Sequence, residues 1–198
     1  CLILITPDAE RTMVTFLGIA GKINEQDIDE KAIKESEMIF LEGYLWDKGE
    51  PKSAFNKAMS LSNLKAMSLS DQFCVERHKD DFLDLVKNKL DIIFANEQEI
   101  KSLINTSSFE EVIAFGKQLN KSLIITRGEK GSVAIIKNQV VECNSKKKLK
   151  IIDLTGAGDL FAAGYLHGYI NNLSTKESLE HGTEMASRII QKIGARLS

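Results

Sequence analysis

No apolar run in these 198 residues approaches the ~20 needed by a membrane-crossing helix, and no signal peptide is visible. A strong basic excess, the usual mark of a nucleic-acid binder, is missing too, because the formal net charge is −2. The one dense basic run, KKKLK at 146–150, reads as a solvated loop before a strand. Cysteine is scarce: Cys1, Cys74 and Cys143 stand far apart with no C-x-x-C pair. Neither a zinc site nor a disulfide framework is suggested, and a reducing cytoplasm is the default compartment. The three histidines, His78, His167 and His181, lack metal-ligand spacing and read as structural or surface residues. With only two prolines, no low-complexity tract and no internal repeat, residues 1–198 read as a single domain. An initiator methionine is also lacking. Cys1 opens inside an apolar run, so the chain is expected to be a piece whose N-terminal part, and with it some sheet strands, is missing.

What is present is an ordinary globular mixture, 43% hydrophobic and 27% charged. CLILIT and RTMVTFLG are strand-like around a PDAE turn, which makes residues 1–18 a hairpin. NEQDIDEKAIKES suits one helix capped by Asn24, MIFLEG a buried strand, and Pro51 the first turn of a further helix. LKAMSLS, DIIFAN and SLIITRG read as strands. CVERHKDDFLDLVKNKL and FEEVIAFGKQLN read as amphipathic helices between them. SVAIIK and QVVEC form a hairpin around KNQ, LKIIDL leads into a glycine motif, and helices over roughly 157–171 and 175–193 finish the chain. Strands alternating with helices predict an α/β fold with a mostly parallel central sheet between two helix layers.

In such sheets ligands collect at the carboxyl ends of strands. Polar clusters fall at three of those ends. ANEQE places Asn96 just past a strand and Glu99 one turn along; TRGEKG carries Thr126, Arg127, Gly128 and Gly131; DLTGAGD carries Asp153, Thr155, Gly156, Ala157, Gly158 and Asp159. In the last cluster, small residues let the backbone approach an anion, and a helix start supplies unpaired N–H groups and the positive end of a dipole. Alone, a GxGD more often marks a tight turn with a stabilising first-turn acid. Asn96 and Glu99 alone fit a helix cap equally well. Two other phosphate motifs fail: Phe161 stands where a dinucleotide fingerprint needs its third glycine, and FLGIAGKI has Phe16 and Ile23 where a P-loop needs glycine and Ser or Thr.

Taken in order, N-x-x-E, T-R-G-x-x-G and DLTGAGDLFAAGY resemble the motifs of the ribokinase-like (PfkB) carbohydrate and nucleoside kinases, and HGTEMASRIIQKIGAR is similar to that family's last core helix. The resemblance implies a ribokinase-like three-layer α/β/α fold, with residues 1–18 as part of a small β lid. It implies a phosphotransferase that moves the γ-phosphoryl group of ATP to a hydroxyl of a sugar or nucleoside. On the matching positions, Asp159 would be the base and the N–H groups around Gly156, Ala157 and Gly158 the anion hole. Asn96 and Glu99 would organise Mg2+ and the phosphates, Glu99 through water. Thr126, Arg127, Gly128 and Gly131 would lie along the nucleotide, with Thr183 near the adenine. Asp153 and Thr155 match positions that help hold a monovalent cation, such as K+, in many members. The parts are coherent, because phosphoryl transfer depends mostly on positioning and charge neutralisation.

CLILITPDAERTM and FLEGYLWD look more like the adenosine-kinase-like branch. Sugar kinases often carry D-x-N-x-R after a mid-chain strand, whereas here Asp71 is followed by Gln72 and Phe73. Nucleoside and sugar acceptors both stay open, as do a vitamin-type kinase of the same fold and a non-catalytic nucleotide-binding regulator. Arg11 fits a reach from the lid toward phosphate and an exposed strand residue equally. Trp46 fits packing or a cleft lining. A homodimer through the lid strands is compatible with the sequence and not required by it.

Overall fold

The structure is a computed structural model and describes residues 1–46 and 51–197. Strands β1 (Leu2–Ile5) and β2 (Arg11–Val14) pair antiparallel, Leu2 opposite Val14 and Ile5 opposite Arg11, as the sequence predicts. The other strands are β3 (Ile39–Glu42), β4 (Lys65–Ser68), β5 (Ile92–Asn96), β6 (Ser122–Thr126), β7 (Ser132–Ile136) and β8 (Gln139–Cys143), and they form one sheet in that spatial order. The helices are α1 (Glu30–Glu35), α2 (Pro51–Leu61), α3 (Gln72–Arg77), α4 (Lys79–Asp84), α5 (Glu97–Ile104), α6 (Phe109–Gln118), α7 (Ala157–Ile170) and α8 (Thr175–Ile189). The chain forms two compact units, one of residues 17–125 with 135–140, the other of residues 1–16, 126–134 and 141–198.

In the first unit β3, β4 and β5 run parallel, with Ile39 opposite Lys65 and Ala66 opposite Ile92. Parallel strands need crossovers, which α2 and the α3–α4 segment supply. Met67, Ile93, Leu123 and Ile124 are fully buried, which is why these strands read as short continuous apolar strings rather than alternating ones. Trp46 packs edge-on against Phe55 and Phe82, and its Nε1 donates to Asp81 at 3.0 Å. Packing is therefore its place. Asp47, the last residue of FLEGYLWD, lies outside the described residues. The link between β7 and β8 is Lys137 and Asn138, both with positive φ (46° and 71°), the geometry a tight antiparallel hairpin demands.

Three segments differ from the sequence reading. NEQDIDEKAIKES is not one helix. Asn24 caps a 3-10 turn, Glu25–Asp27, then Ile28 is extended and Asp29 caps α1 afresh. Two good capping residues in one stretch start two short elements. The segment from Cys74 to Leu90 breaks at His78 (φ −121°, ψ 29°) and ends in a π-helical turn, Leu85–Lys89, with no glycine or proline to signal it. LKIIDL forms no strand: the Ile152 and Asp153 N–H groups donate instead to the Ile190 carbonyl, at 2.8 and 3.3 Å. That carbonyl is available because α8 stops at Ile189, short of the expected 193.

Candidate functional site

In the second unit the turn before α7 is tied down by one carboxylate. Asp153 is 1% exposed; one oxygen accepts from the Thr155 N–H (2.8 Å) and hydroxyl (2.6 Å), the other from the Gly194 N–H (2.8 Å). Burial works against its ionisation more than any single partner favours it. The Thr155 hydroxyl, the Gly194 and Thr155 N–H groups and the charge of Arg11 together outweigh burial and hold the carboxyl below the usual range. Thus the structure brings Asp153 and Thr155 together.

Gly156 follows with φ 77°, a backbone that favours glycine, and a Cβ there would stand 3.0 Å from the Ala195 Cβ. It is the N-cap of α7, and no side chain caps this helix. The Ala157 N–H turns back to the Leu154 carbonyl at 3.2 Å, while the N–H groups of Gly158 and Asp159 fall in the first turn, where a helix has no internal acceptors. Gly158 is different from Gly156: a Cβ there would meet nothing within 4 Å, so the fold does not demand glycine. The Asp159 side chain is exposed and, among the described residues, has no hydrogen-bond or ion-pair partner. A dipole end, open amides and a free carboxylate in one turn can hold an anion and take up a proton.

In the same unit, β6 ends at Thr126 and the loop closes on itself, Arg127 N–H to Gly131 carbonyl (2.8 Å) and Gly131 N–H to Gly128 carbonyl (3.0 Å). Gly131 has φ 86°, and a Cβ would collide with the Cys143 carbonyl at 2.0 Å. Thr183 is buried in α8, its hydroxyl 3.5 Å from both the Cys143 sulfur and the Ser132 hydroxyl. Cys143 therefore joins the TRGEKG loop to Thr183. A cavity of about 280 Å³ opens beside it, lined by Cys143, Asn144, Lys146, Lys176, Glu180 and Thr183. Of these, only Thr183 was a candidate from sequence; Lys146 sits in the run that reads as a solvated loop, and nothing local marks the rest.

In the first unit Asn96 and Glu99 form a closed box at the start of α5. The Asn96 N–H donates to one Glu99 oxygen (2.8 Å), its side-chain amide to the other (2.6 Å), and the Glu99 N–H returns to Asn96 Oδ1 (2.8 Å). This is a capping box, yet Glu99 is only 5% exposed. Burial pushes its carboxyl up to about 7; Asn96 donors oppose the shift, while the negative charges of Asp71 and Glu42 add to it. Among the described residues no group of three or more His, Cys, Asp or Glu could hold a metal directly. The hard oxygens of Asn96 and Glu99 fit a magnesium ion that keeps its own water shell. Cys74 and Cys143 are buried free thiols, and no helix among the described residues is long and apolar enough to cross a membrane.

The family profile for the pfkB family carbohydrate kinases matches residues 1–198. The chain belongs to this family. A solved structure of a probable sugar kinase from Rhizobium etli CFN 42 is 36% identical, with a TM-score of 0.95 over 98% of this chain and 60% of that one. The structure of adenosine kinase from Sinorhizobium meliloti is 35% identical, with a TM-score of 0.95 over 98% of this chain and 61% of that one. A nucleoside kinase of Methanocaldococcus jannaschii is 30% identical over 118 residues, 60% of this chain and 38% of that protein. The chain thus spans less than two thirds of each of these relatives. Its fold is the ribokinase-like α/β fold, as the order of motifs implies.

Proposed function

We propose that this pfkB-family protein transfers the γ-phosphoryl group of ATP to a hydroxyl of a nucleoside or sugar. The observation that carries the reading is the start of α7, where side-chain-uncapped main-chain N–H groups and the exposed, unpartnered Asp159 carboxylate share one turn. Asp159 takes the acceptor's hydroxyl proton as that oxygen bonds to the γ-phosphorus; the bond to the bridging oxygen breaks and ADP leaves. The N–H groups around Gly156, Ala157 and Gly158 that have no internal acceptor, those of Gly158 and Asp159 in the first turn, receive the charge on the transferring group. Thr126, Arg127, Gly128 and Gly131 lie along the nucleotide, and Thr183 faces the base through the cavity it lines. Asn96 and Glu99 would hold Mg2+ through its waters, and the ion would supply neutralisation of phosphate charge. Asp153 and Thr155 would hold a monovalent cation, K+, which would add positive charge near the anion-binding turn. The β1–β2 hairpin serves as part of a lid, and its exposed apolar residues Leu2, Leu4 and Val14 are the surface through which a homodimer would form. The reading places the protein in the cytoplasm.

The test is ADP formation by the full-length protein with ATP and Mg2+, acceptor by acceptor: adenosine, cytidine, ribose, fructose and a hydroxymethylpyrimidine. Acceptor-dependent ADP with a nucleoside or sugar is the expected result. Turnover with the pyrimidine alone would replace this reading by a vitamin-type kinase, and nucleotide binding with no acceptor-dependent turnover would replace it by a regulator. Equal rates in potassium, sodium and a bulky organic cation at fixed ionic strength would remove the cation role of Asp153 and Thr155.

A further inference from the structure

Helices α7 and α8 approach so closely that their backbones touch. A Cβ at Gly164 would stand 2.7 Å from the His181 carbonyl oxygen, and one at Gly182 2.7 Å from that of Phe161. This contact brings together two histidines that are distant in the chain, His167 one turn after Gly164 on α7 and His181 beside Gly182 on α8. Their ring centroids are 5.9 Å apart, their planes are tilted by 36°, and both residues are exposed. Asn171 braces the first of them: its side-chain amide donates to the His167 carbonyl at 2.7 Å and stands 3.5 Å from the ring Nδ1. Glu177 lies one turn before His181. The Ser174 hydroxyl first, the Ser174 N–H next and the charge of His181 last hold its carboxyl below the usual range. Glu177 is thus engaged by Ser174 and offers the histidines negative charge rather than a free ligand.

The spacing of the rings has a chemical meaning. A zinc–imidazole bond of about 2.0–2.1 Å puts the ring centroid about 3.2 Å from the metal, so two imidazoles on one ion lie about 5.2 Å apart at the tetrahedral angle and about 6.4 Å apart at most. The 5.9 Å between His167 and His181 falls inside that range. Because the helices are locked by backbone contact, the pair is held near this spacing before any ion arrives.

We propose that His167 and His181 form a two-imidazole chelate for a divalent transition-metal ion of the zinc, nickel and copper class, on the exposed seam between α7 and α8. Imidazole suits these ions, whereas magnesium keeps to oxygen ligands, so the seam is chemically separate from any Mg2+ site. Among the described residues no third His, Cys, Asp or Glu completes the set, so water fills the remaining positions and the ion exchanges. Its two protein ligands come from different helices. The ion therefore ties α7 to α8 and favours the folded chain over the unfolded one. The inference does not depend on the kinase reading.

The experiment titrates zinc chloride into the metal-free full-length protein by calorimetry, with Mg2+ in large excess throughout. His167→Gln and His181→Gln should each weaken zinc binding by about ten-fold or more, because changes to the outer-shell partners of a metal alone cost about 10- to 100-fold. Zinc should raise the Tm of the parent and leave that of the double variant unmoved. Equal zinc affinity in the parent and the double variant overturns the proposal. A readout on the parent alone covers a variant that folds poorly: carbethoxylation of histidine by diethyl pyrocarbonate, followed by peptide mass spectrometry. Equimolar zinc should slow modification of His167 and His181 together and leave His78 as before. Unchanged rates at both 167 and 181 overturn the site whatever the variants do. A parent that binds zinc this way but shows no acceptor-dependent ADP formation refutes the kinase reading and leaves the metal site standing.

Discussion

Helices α5 and α7 both begin just past the ordered core of their units, and they begin in opposite ways. At α5, Asn96 and Glu99 satisfy one another so completely that both Glu99 oxygens and the Asn96 donors are used. At α7, the N-cap is a glycine with no side chain to offer, and the first acid, Asp159, points to solvent without a partner. Four N-terminal amides are an obligation of every α-helix. Side chains meet that obligation at α5, and likewise at α6 with Ser108 and at α8 with Ser174. At α7 no side chain caps the helix, and the loop before it is tied instead by Asp153, which accepts from the Gly194 N–H. The difference teaches what separates a helix start closed by its own side chains from an open one: a side-chain cap fills the very place an incoming anion would need.

The largest effect that can break this contrast is at Asp159. Asp159→Asn is nearly isosteric and keeps the helix, so thermal stability should change by no more than about 0.3–1 kcal/mol, the worth of a first-turn charge. Turnover of the full-length protein should fall by roughly 10²- to 10⁴-fold, because an amide cannot take the proton. A well-folded variant with near-normal kcat would return Asp159 to the role of a dipole partner and make the two helix starts alike in kind.

The next effect belongs to α5 and to pH. Folded Glu99 keeps its proton up to about 7, whereas the unfolded chain releases it near the ordinary glutamate value of 4.5. Between these values the native state binds more protons than the unfolded state, so stability falls as pH rises, and above about 7 the deficit stays constant. Glu99→Gln keeps an acceptor for the Asn96 N–H and cannot ionise. Urea unfolding at about pH 5 and about pH 8 should therefore show the parent losing on the order of 1–3 kcal/mol relative to the variant. Parallel pH profiles for the two proteins would mean that the box is not strained by its buried charge.

The smallest effect sharpens the contrast within α7 itself. A Cβ at Gly158 meets nothing and its backbone is helical, so Gly158→Ala should stabilise the protein by about 0.5–1 kcal/mol, the ordinary gain from replacing glycine in a helix. The same methyl group stands among the open amides, and kcat should fall while Tm rises. If Tm and kcat rise together, the space in front of Gly158 has no part in catalysis.

Much of the site is legible in the sequence because its chemistry is contiguous. Residues 153–159 and 126–131 each fall within one turn or loop; alone each fits a turn or cap, and it is the order of the clusters along the chain that suffices to recognise the family. Less legible were the places where local preference competes with something distant. Nothing in CVERHKDDFLDLVKNKL announces the break at His78, and LKIIDL has the apolar content of a strand. It fails to become one because its N–H groups find the Ile190 carbonyl, which no local pattern can foretell.

By itself, the sequence determined the alternation of strands and helices, the hairpin at the start, the pfkB motifs and the candidates for base and anion holder. Those properties depend on periodicity and on neighbours within a few positions. Only the tertiary structure decided that Glu99 is buried beside two other carboxylates, that Cys143 joins the 126–131 loop to Thr183, and that Asp153 is bound to Gly194, 41 residues away. Burial and long-range hydrogen bonds arise when distant segments meet, and the same residue types at the same spacing would lack them in any fold that kept those segments apart.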